Sequence, residues 1–451
     1  MARPGTDQEQ PATRVVVVGG GAAGVITAAH LLRSADADHR LEVQVVERTT
    51  QTGPGLAYRT THPRHTVNNY AGRLSAMDGD PDHLLRWCAD RGTPVGPMGF
   101  IHRHLYGRYL SDVFYTIRVP AGSALGRTVG TVTDVRREGR ALGVQMSGGW
   151  QIEADKVVLA LGNPPPRRMR SLERRGDGYV ADPWAPDLVE QVGNASDVLL
   201  LGTGLTMVDV VAQLHDALPM TRFTAVSRTG LLPRAHRRSV GRLHDAYHPG
   251  VAPLPVLLER VQSRIDELAE IGGDWRDVVD SVRASANDLW RGLSPEDQEE
   301  FVSTLSRQWD TARHRMSPYM AELVGRLRAS GRLRVGLSSD IDPSTFPVVV
   351  NCIGPAPVPT RGWNPLVDAL LDRGAIRPHR LGLGLDLDEH GRVIDAEGRV
   401  DPDVYAVGAA RKGIEWEVTA VPDLRSQAVR LSETLAAEQA LSRPAARAGA
   451  S

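Results

Sequence analysis

Short β-branched runs alternate with longer stretches of helical period along most of the chain, the pattern of an α/β protein. Five runs are predominantly apolar: Val15–Val18, Val43–Val46, Val157–Leu161, Val198–Leu201 and Val348–Cys352. Strands covered on both faces read this way, as in parallel sheets with helices on each side. Residues 255–330 break the alternation. Leu257, Leu258, Val261, Ile265 and Leu268 recur at helical spacing, as do Val278, Val279, Val282, Ala286 and Leu289. Ser294 and Pro295 then supply an N-cap and a first-turn proline, so a helical insertion is expected over this stretch. Pro164, Pro165 and Pro166, followed by Arg167, Arg168 and Arg170, read as a stiff linker. The expected division is a first domain over 14–165, a second over 166–345 carrying the insertion 255–330, and a return to the first over 346–440. Residues 1–13 and 441–451 read as disordered tails.

Composition narrows the class. The 451 residues carry 53 basic and 54 acidic side chains, a net charge of −1, which gives no general attraction to nucleic acid or to an anionic membrane. The polar N-terminus lacks the apolar core of a secretory signal, and no apolar run reaches the length of a membrane span. Cys88 and Cys352 are too few for a disulfide scaffold or a four-cysteine zinc site and suit a reducing compartment, so a cytoplasmic protein is expected. The 14 histidines form no H-E-x-x-H or Cys/His cluster, and no metal site is expected.

One pattern occurs twice. In RVVVVGGGAAGVITAAHLL, a four-valine strand runs into Gly19, Gly21 and Gly24 and then into a helix-forming segment. Gly19 allows the tight turn, Gly21 lets backbone approach a pyrophosphate, and Gly24 lets helix and strand pack closely, while N–H groups at the helix start (Ala22, Ala23) hold phosphate. The next strand ends at Glu47 and Arg48, and an acid there accepts hydrogen bonds from ribose hydroxyls and repels a 2′-phosphate. In SDVLLLGTGLTMVDVVAQL, Gly202, Gly204, Leu205 and Thr206 repeat the start, but Met207 stands in place of the third glycine. The following strand ends at Ser227 and Arg228, and the stretch from Ala217 to His244 has no acid but holds Arg222, Arg228, Arg234, Arg237, Arg238 and Arg242. Arginine pairs bidentately with phosphate, so this site should prefer NADPH over NADH; the plainer reading is a solvated basic loop. An acid at the first site and arginine at the second suggest FAD first and NADPH second, with hydride passing from nicotinamide to flavin.

With these motifs the sequence resembles the two-dinucleotide-binding flavoproteins, the group that includes glutathione reductase and the flavin monooxygenases. VVLALGNPP, containing Gly162, resembles the segment crossing from the FAD domain to the NADP domain, and VVVNCIGPAP, containing Gly354, the segment crossing back. LDLDEHGRVIDAEGRVDPDVYAVGAA resembles the late FAD-domain segment whose glycine, here Gly408, lies by the ribityl–phosphate chain; the usual acid after it is Ala409. A closer resemblance is to a bacterial FAD/NAD(P)-binding protein family whose members are mostly uncharacterised. It is carried by GPGLAYRTTHPRHTVNNYAGRLSAMDGDPDHLLRW, FIHRHLYGRYL, RQWDTARHRMSP and EWEVTAVPDLRSQA, and spans about Arg14 to Leu435. The resemblance implies a glutathione-reductase-like fold of two Rossmann-like domains. It also implies that Gly55, Leu56, Ala57, Asn68 and Ser75 line the flavin and its phosphate tail. It further implies a helix opening at Pro422 that points its N-terminus at the flavin pyrimidine, with Thr419 and Val421 against the ring; a plain amphipathic helix is the alternative. Tyr179–Trp184 matches the flavin monooxygenases in position only.

No residue declares itself a catalytic acid or base. Cys88 and Cys352, far apart and in apolar surroundings, read as core residues and argue against a disulfide reductase. Trp309, Asp310, Arg313, His314 and Arg315 fit either a carboxylate site over the cleft or a solvated helix face. His102, Arg103 and His104 fit phosphate binding or an ordinary surface loop equally, and Trp416 and Glu417 are candidates for the active-site wall. The leading expectation is an NADPH-dependent FAD enzyme acting on a small molecule as a monooxygenase, with N-hydroxylation suggested by analogy of fold. The alternatives are a flavin reductase serving a protein or quinone acceptor, and a non-catalytic nucleotide-binding protein.

Overall fold

The computed structural model describes residues 11–238 and 247–441. The two expected tails lie outside these residues except at their inner ends, where Thr13 opens the first strand and Leu441 closes the last helix. The strands among the described residues are β1 (Thr13–Val18), β2 (Leu41–Glu47), β3 (Ala124–Val129), β4 (Val132–Glu138), β5 (Ala141–Met146), β6 (Gln151–Ala154) and β7 (Lys156–Leu159). They continue with β8 (Tyr179–Val180), β9 (Asp197–Leu201), β10 (Arg222–Ser227), β11 (Leu333–Leu337), β12 (Val348–Asn351), β13 (Arg392–Ile394) and β14 (Val400–Ala406). One sheet has the order β13-β14-β7-β1-β2-β3 and is parallel except for β13; a second has the order β11-β10-β9-β12-β8 and is parallel throughout. β4, β5 and β6 form an antiparallel meander.

The apolar runs occupy the middle of these sheets because both of their faces are covered. Val15 and Val17 of β1 pack with the helices Ala22–Ser34, Arg103–Tyr115 and Val421–Leu441, while Val16 and Val18 pack on the opposite face with the meander and the helix Pro365–Asp372. In β9, Val198 and Leu200 face the helices Leu205–Ala217 and Pro318–Ala329, and Leu199 and Leu201 face Leu172, Tyr179 and Val349. Each valine or leucine so buried contributes about 1.5–3 kcal/mol.

The chain leaves the first domain after β7 and returns after β12. The two crossings run side by side: Pro166 and Pro355 form an antiparallel bridge, Ala356 N–H donates to Pro165 O (3.1 Å), and Asn351 Nδ2 donates to Arg167 O (3.1 Å).

The insertion is real but shorter than its periodicity suggests. Helices Leu254–Glu270, Trp275–Gly292, Pro295–Glu300 and Ser306–Arg313, with a π turn at Phe301–Leu305, form it around their own small core. The helix Pro318–Ala329, expected within it, instead places Met320, Leu323, Val324 and Leu327 in the core of the second sheet. The insertion is seated on the first domain. Trp290 packs against Trp416 and Phe301 and donates Nε1–H to Gly413 O (2.9 Å), and Asn287 pairs with both backbone groups of Glu417.

Glu415, fully buried, anchors the same corner. It accepts hydrogen bonds from Arg411 (2.9 Å), Arg430 (2.6 Å) and Gln427 Nε2 (3.0 Å). Burial pushes its carboxyl up, but the Arg411, Arg430 and Arg291 charges outweigh that and hold it below the usual range. Stability from a depressed carboxylate is present above its unfolded value and lost as pH falls through the folded one. Glu415→Ala strands the buried Arg411 charge and is expected to cost about 3–5 kcal/mol in denaturant unfolding at neutral pH. That deficit should shrink on acidification below the usual carboxylate range; a deficit independent of pH would contradict the assignment.

Candidate functional site: two dinucleotide turns and a cavity beside the last helix

The first turn lies between β1 and the helix Ala22–Ser34, where the neighbours of β1 diverge to β7 and β2. Open parallel sheets bind ligands in such a crevice. Gly19 has φ 112°, and a Cβ there would meet Ala160 O at 2.3 Å; a Cβ on Gly24 would meet Gly19 O at 1.8 Å. The helix has no side-chain cap and no acid in its first turn, so its leading N–H groups are open to an anion. A Cβ on Gly21 would lie 3.4 Å from Gly55 Cα, and Gly55 itself has φ 51°. The two glycines leave a channel that any side chain would narrow.

Glu47, at the end of β2, accepts from Gly20 N–H through Oε2 (2.8 Å) and from Thr49 N–H through Oε1 (3.0 Å). Gly20, to which sequence reasoning gave no task, is needed here: a Cβ on it would strike Glu47 Cβ at 2.8 Å. The glycine triplet was the available signal. Arg48 is exposed beside the acid. Gly408, φ 70°, donates its N–H to Gln427 Oε1 (2.8 Å) and would bring a Cβ within 3.5 Å of the Ala23 Cβ. Buried Glu415 thus fixes Gln427, and Gln427 fixes Gly408 against the first turn. An acid, an uncapped helix start and two backbone approaches without side chains fit the ribose, pyrophosphate and ribityl parts of FAD.

Farther along, the expectations divide. Leu56 is half-buried and Ala57 exposed beyond the Gly55 turn. Asn68 points outward and contributes only its carbonyl, which accepts from His236 Nε2 (3.0 Å); its neighbour Asn69 lines the cavity described below. Ser75 turns its hydroxyl to the Asp80 carbonyl (2.6 Å), so it braces the loop. Val421 is buried at the start of the helix Val421–Leu441, whereas Thr419 is exposed.

The second turn reproduces the first. Gly202 has φ 116°, and a Cβ there would meet Cys352 O at 2.3 Å. The helix Leu205–Ala217, with Thr206 in its first turn, is likewise uncapped after Gly204. Met207 is fully buried, so this helix is seated differently from its counterpart, whose glycine admits no Cβ. Ser227 Oγ is bound to Thr203 Oγ1 (2.9 Å). The basic stretch is mostly spent within the protein: Arg222 pairs with Asp197 (2.9 Å), Arg237 with Asp277, Arg238 with Glu322, and Arg234 stacks over Trp275 (4.7 Å). Arg242 lies outside the described residues. Arg228 is exposed and has no hydrogen-bond or ion-pair partner among the described residues. Sequence reasoning missed Arg307. It reaches from the insertion to donate to Thr203 Oγ1 (3.3 Å) and Leu231 O (3.0 Å), with its guanidinium 3.7 Å from a Cβ built on Gly204. The motif RQWDTARHRMSP begins with this residue.

Gly162 and Gly354 take φ values of 72° and 86° on the two crossings. Cys88 and Cys352 are both buried and unpaired, and burial pushes the Cys352 thiol strongly up. Arg103 pairs with Asp209 (2.7 Å) and stacks over Trp184 (5.6 Å), tying the two domains together; His102 and His104 stack on each other (5.6 Å). Among the described residues no group of three or more His, Cys, Asp or Glu gathers as a metal site. No helix among them is long and apolar enough to cross a membrane.

Where the insertion meets the last helix, a cavity of about 310 Å³ opens between Asn69 and Arg73, Asp280 and Arg283, Arg313, and Pro422 and Arg425. Arg313 and Arg315 are buried, so they do not solvate a helix face. Arg315 pairs with Asp280, and Arg313 lies 3.4 Å from Glu417 Oε1. Burial pushes Glu417 up, and the surrounding Arg313, His314, Arg283 and Lys412 charges hold it down. Glu417 stands behind Arg313 and does not line the cavity; Trp416 is enclosed by Trp290, Phe301 and the Lys412 ammonium, 3.5 Å from its ring. His314 stays half-exposed near Asp310 (3.7 Å).

Residues 16–164 match the FAD-NAD(P)-binding family. Among curated proteins no sequence matches the chain. Among solved structures, the ornithine N-hydroxylase of Kutzneria sp. 744, with reduced FAD, NADP+ and L-ornithine, is similar at 16% identity and TM-score 0.62, over 95% of this chain and 100% of that one. The FAD-bound cadaverine monooxygenase of desferrioxamine biosynthesis from Erwinia amylovora is similar at 12% identity and TM-score 0.60, over 98% of each. The ornithine hydroxylase of Pseudomonas aeruginosa is similar at 14% identity and TM-score 0.59, over 94% and 99%. The likeness is one of fold: α/β, with two dinucleotide-binding domains and a helical insertion.

Gly21→Ala tests the channel. Its backbone is extended and the added Cβ makes only an ordinary contact, so the variant is expected to fold. It should bind at least tenfold less flavin, read as absorbance per chain after purification. Full flavin content would place the cofactor elsewhere.

Proposed function

We propose that the chain is an FAD-dependent, NADPH-using oxidoreductase that oxygenates a small molecule. The observation that carries this is the paired construction of the two turns. Both have an open helix start beneath a crossing strand, the first with Glu47 fixed over it and the second with Arg228, which has no partner among the described residues, beside it. An acid suits ribose hydroxyls and an arginine suits a 2′-phosphate. FAD so held would supply the redox chemistry, taking hydride from NADPH and, with dioxygen, leaving one oxygen atom in the product and the other in water.

The chain's own residues do the rest. Gly19, Gly21, Ala22, Ala23, Gly24 and Glu47 hold the adenylate half of FAD, and Gly55, Leu56, Ala57 and Gly408 line its middle. Gly202, Gly204, Leu205, Thr206 and Arg307 receive the pyrophosphate common to both nicotinamide cofactors, and Arg228 reads the 2′-phosphate. The buried, widely separated cysteines offer no dithiol relay, which supports dioxygen as acceptor over a disulfide. The similar structures, named for amine hydroxylation, support the monooxygenase reading. Two unpaired thiols support a cytoplasmic location.

Anaerobic mixing of the purified protein with NADPH, then with NADH, then with oxygen is the direct test. Rapid bleaching by NADPH, and NADPH consumption matched one to one by an oxygenated product, are expected. Bleaching followed by transfer only to a quinone or protein acceptor would refute oxygenation. Arg228→Ala should raise the Kd for NADPH about tenfold or more, as for a lost charge-assisted pair, and leave NADH nearly unchanged. Arg307→Ala should weaken both nucleotides alike. Equal losses in Arg228→Ala would remove the 2′-phosphate assignment.

A further inference from the structure

The cavity beside the last helix has a charge that the fold alone does not require. Arg73, Arg283, Arg313 and Arg425 line it against a single lining acid, Asp280. Counting the charged groups paired with or directly behind them, Arg315, Glu417, Asp423 and Asp78, still leaves five cations to four anions. Several of these charges are only partly answered. Arg313 is 7% exposed and lines the cavity, and its Nε–H, 3.4 Å from Glu417 Oε1, makes an ion pair but no hydrogen bond. The Arg283 Nε–H is also buried without a partner, although its Nη2 donates to Asp423 Oδ1 (2.6 Å). Arg73 is half-exposed and makes one contact of 3.2 Å with Asp280. Pro422, in the first turn of the helix Val421–Leu441, brings the positive end of the helix dipole to the same wall.

Buried guanidinium groups with unmet donors are costly unless an acceptor completes them. A carboxylate offers two acceptor oxygens that match the guanidinium fork. We infer that the cavity binds a small organic acid, a substrate bearing at least one carboxylate, and rejects a diamine of the same length. The oxygenation of that acid rests on the function proposed above; its binding does not. A diamine would bring two ammonium groups, both charged at neutral pH, against an unbalanced arginine cluster. The volume, about 310 Å³, suits a small metabolite.

Glutarate and cadaverine make a matched pair of probes, equal in carbon number and opposite in charge. Flavin content is read first, and thermal unfolding of the full chain is then followed with each probe against sodium chloride at equal ionic strength. Glutarate is expected to raise the midpoint by about 2 °C or more, and cadaverine to leave it unchanged. Arg73→Met, at a half-exposed position, should fold, keep its flavin and bind glutarate at least tenfold more weakly by calorimetry. The inference is overturned if cadaverine stabilises as much as glutarate, if sodium chloride reproduces the shift, or if Arg73→Met binds glutarate normally. It is also overturned if Arg73→Met loses its flavin, because the cavity would then hold the cofactor. Colourless protein that still binds glutarate would refute the flavoenzyme reading and leave this one standing.

Discussion

The architecture depends on one backbone arrangement made twice. Gly19 N–H donates to Val46 O (2.8 Å) and Ala160 N–H to Val18 O (2.9 Å); Gly202 N–H donates to Val226 O (2.7 Å) and Cys352 N–H to Leu201 O (2.8 Å). In each case a glycine at the end of the central strand lies under the first carbonyl beyond the strand that leaves its domain, Ala160 O or Cys352 O. A side chain at either glycine would collide with that carbonyl. The crossing strand, the turn and the open helix start are therefore set together, and an anion-binding surface follows from satisfying the sheet. Only the details differ: an acid against an arginine, Gly24 against Met207.

The insertion belongs to the second domain by sequence and to both by contact. Its arginines and acids meet the last helix and the Asn69–Arg73 loop of the first domain, while Arg307 reaches the second turn. The same element thus contributes to two places that no single Rossmann unit could join. Its seat is apolar at Trp290 and ionic at Arg283–Asp423 and Arg73–Asp280. The apolar part gives adhesion, and the ionic part leaves a surplus of positive charge facing inward.

Much of this was legible in the residues. The five apolar runs became central strands because burial on both faces leaves little room for polar residues, Gln44 and Asn351 being the exceptions. The glycine spacings were readable because the turns are local. What failed was non-local. The helix Pro318–Ala329 shares its period with the insertion, and only its packing partners reveal that it serves the second sheet. Of the arginines in and after β10, Arg222, Arg237 and Arg238 have counter-ions, Asp197, Asp277 and Glu322, that lie elsewhere in the chain, so the local sequence did not single out Arg228. Asn68 and Asn69 are indistinguishable without knowing which one faces inward. Arg73, Arg283 and Arg425 come from three separate segments, and nothing in their local sequence announces that they meet.

The bridged proline crossings have a consequence for how such a protein is built. The second domain begins and ends at neighbouring points, so it is a cassette spliced into a continuous host. Excision between Pro166 and Pro355 would leave a gap that a tight turn could span, and the host sheet would lose none of its strands. Exchange of this cassette among related proteins would change the choice of electron donor while the coloured half stayed intact.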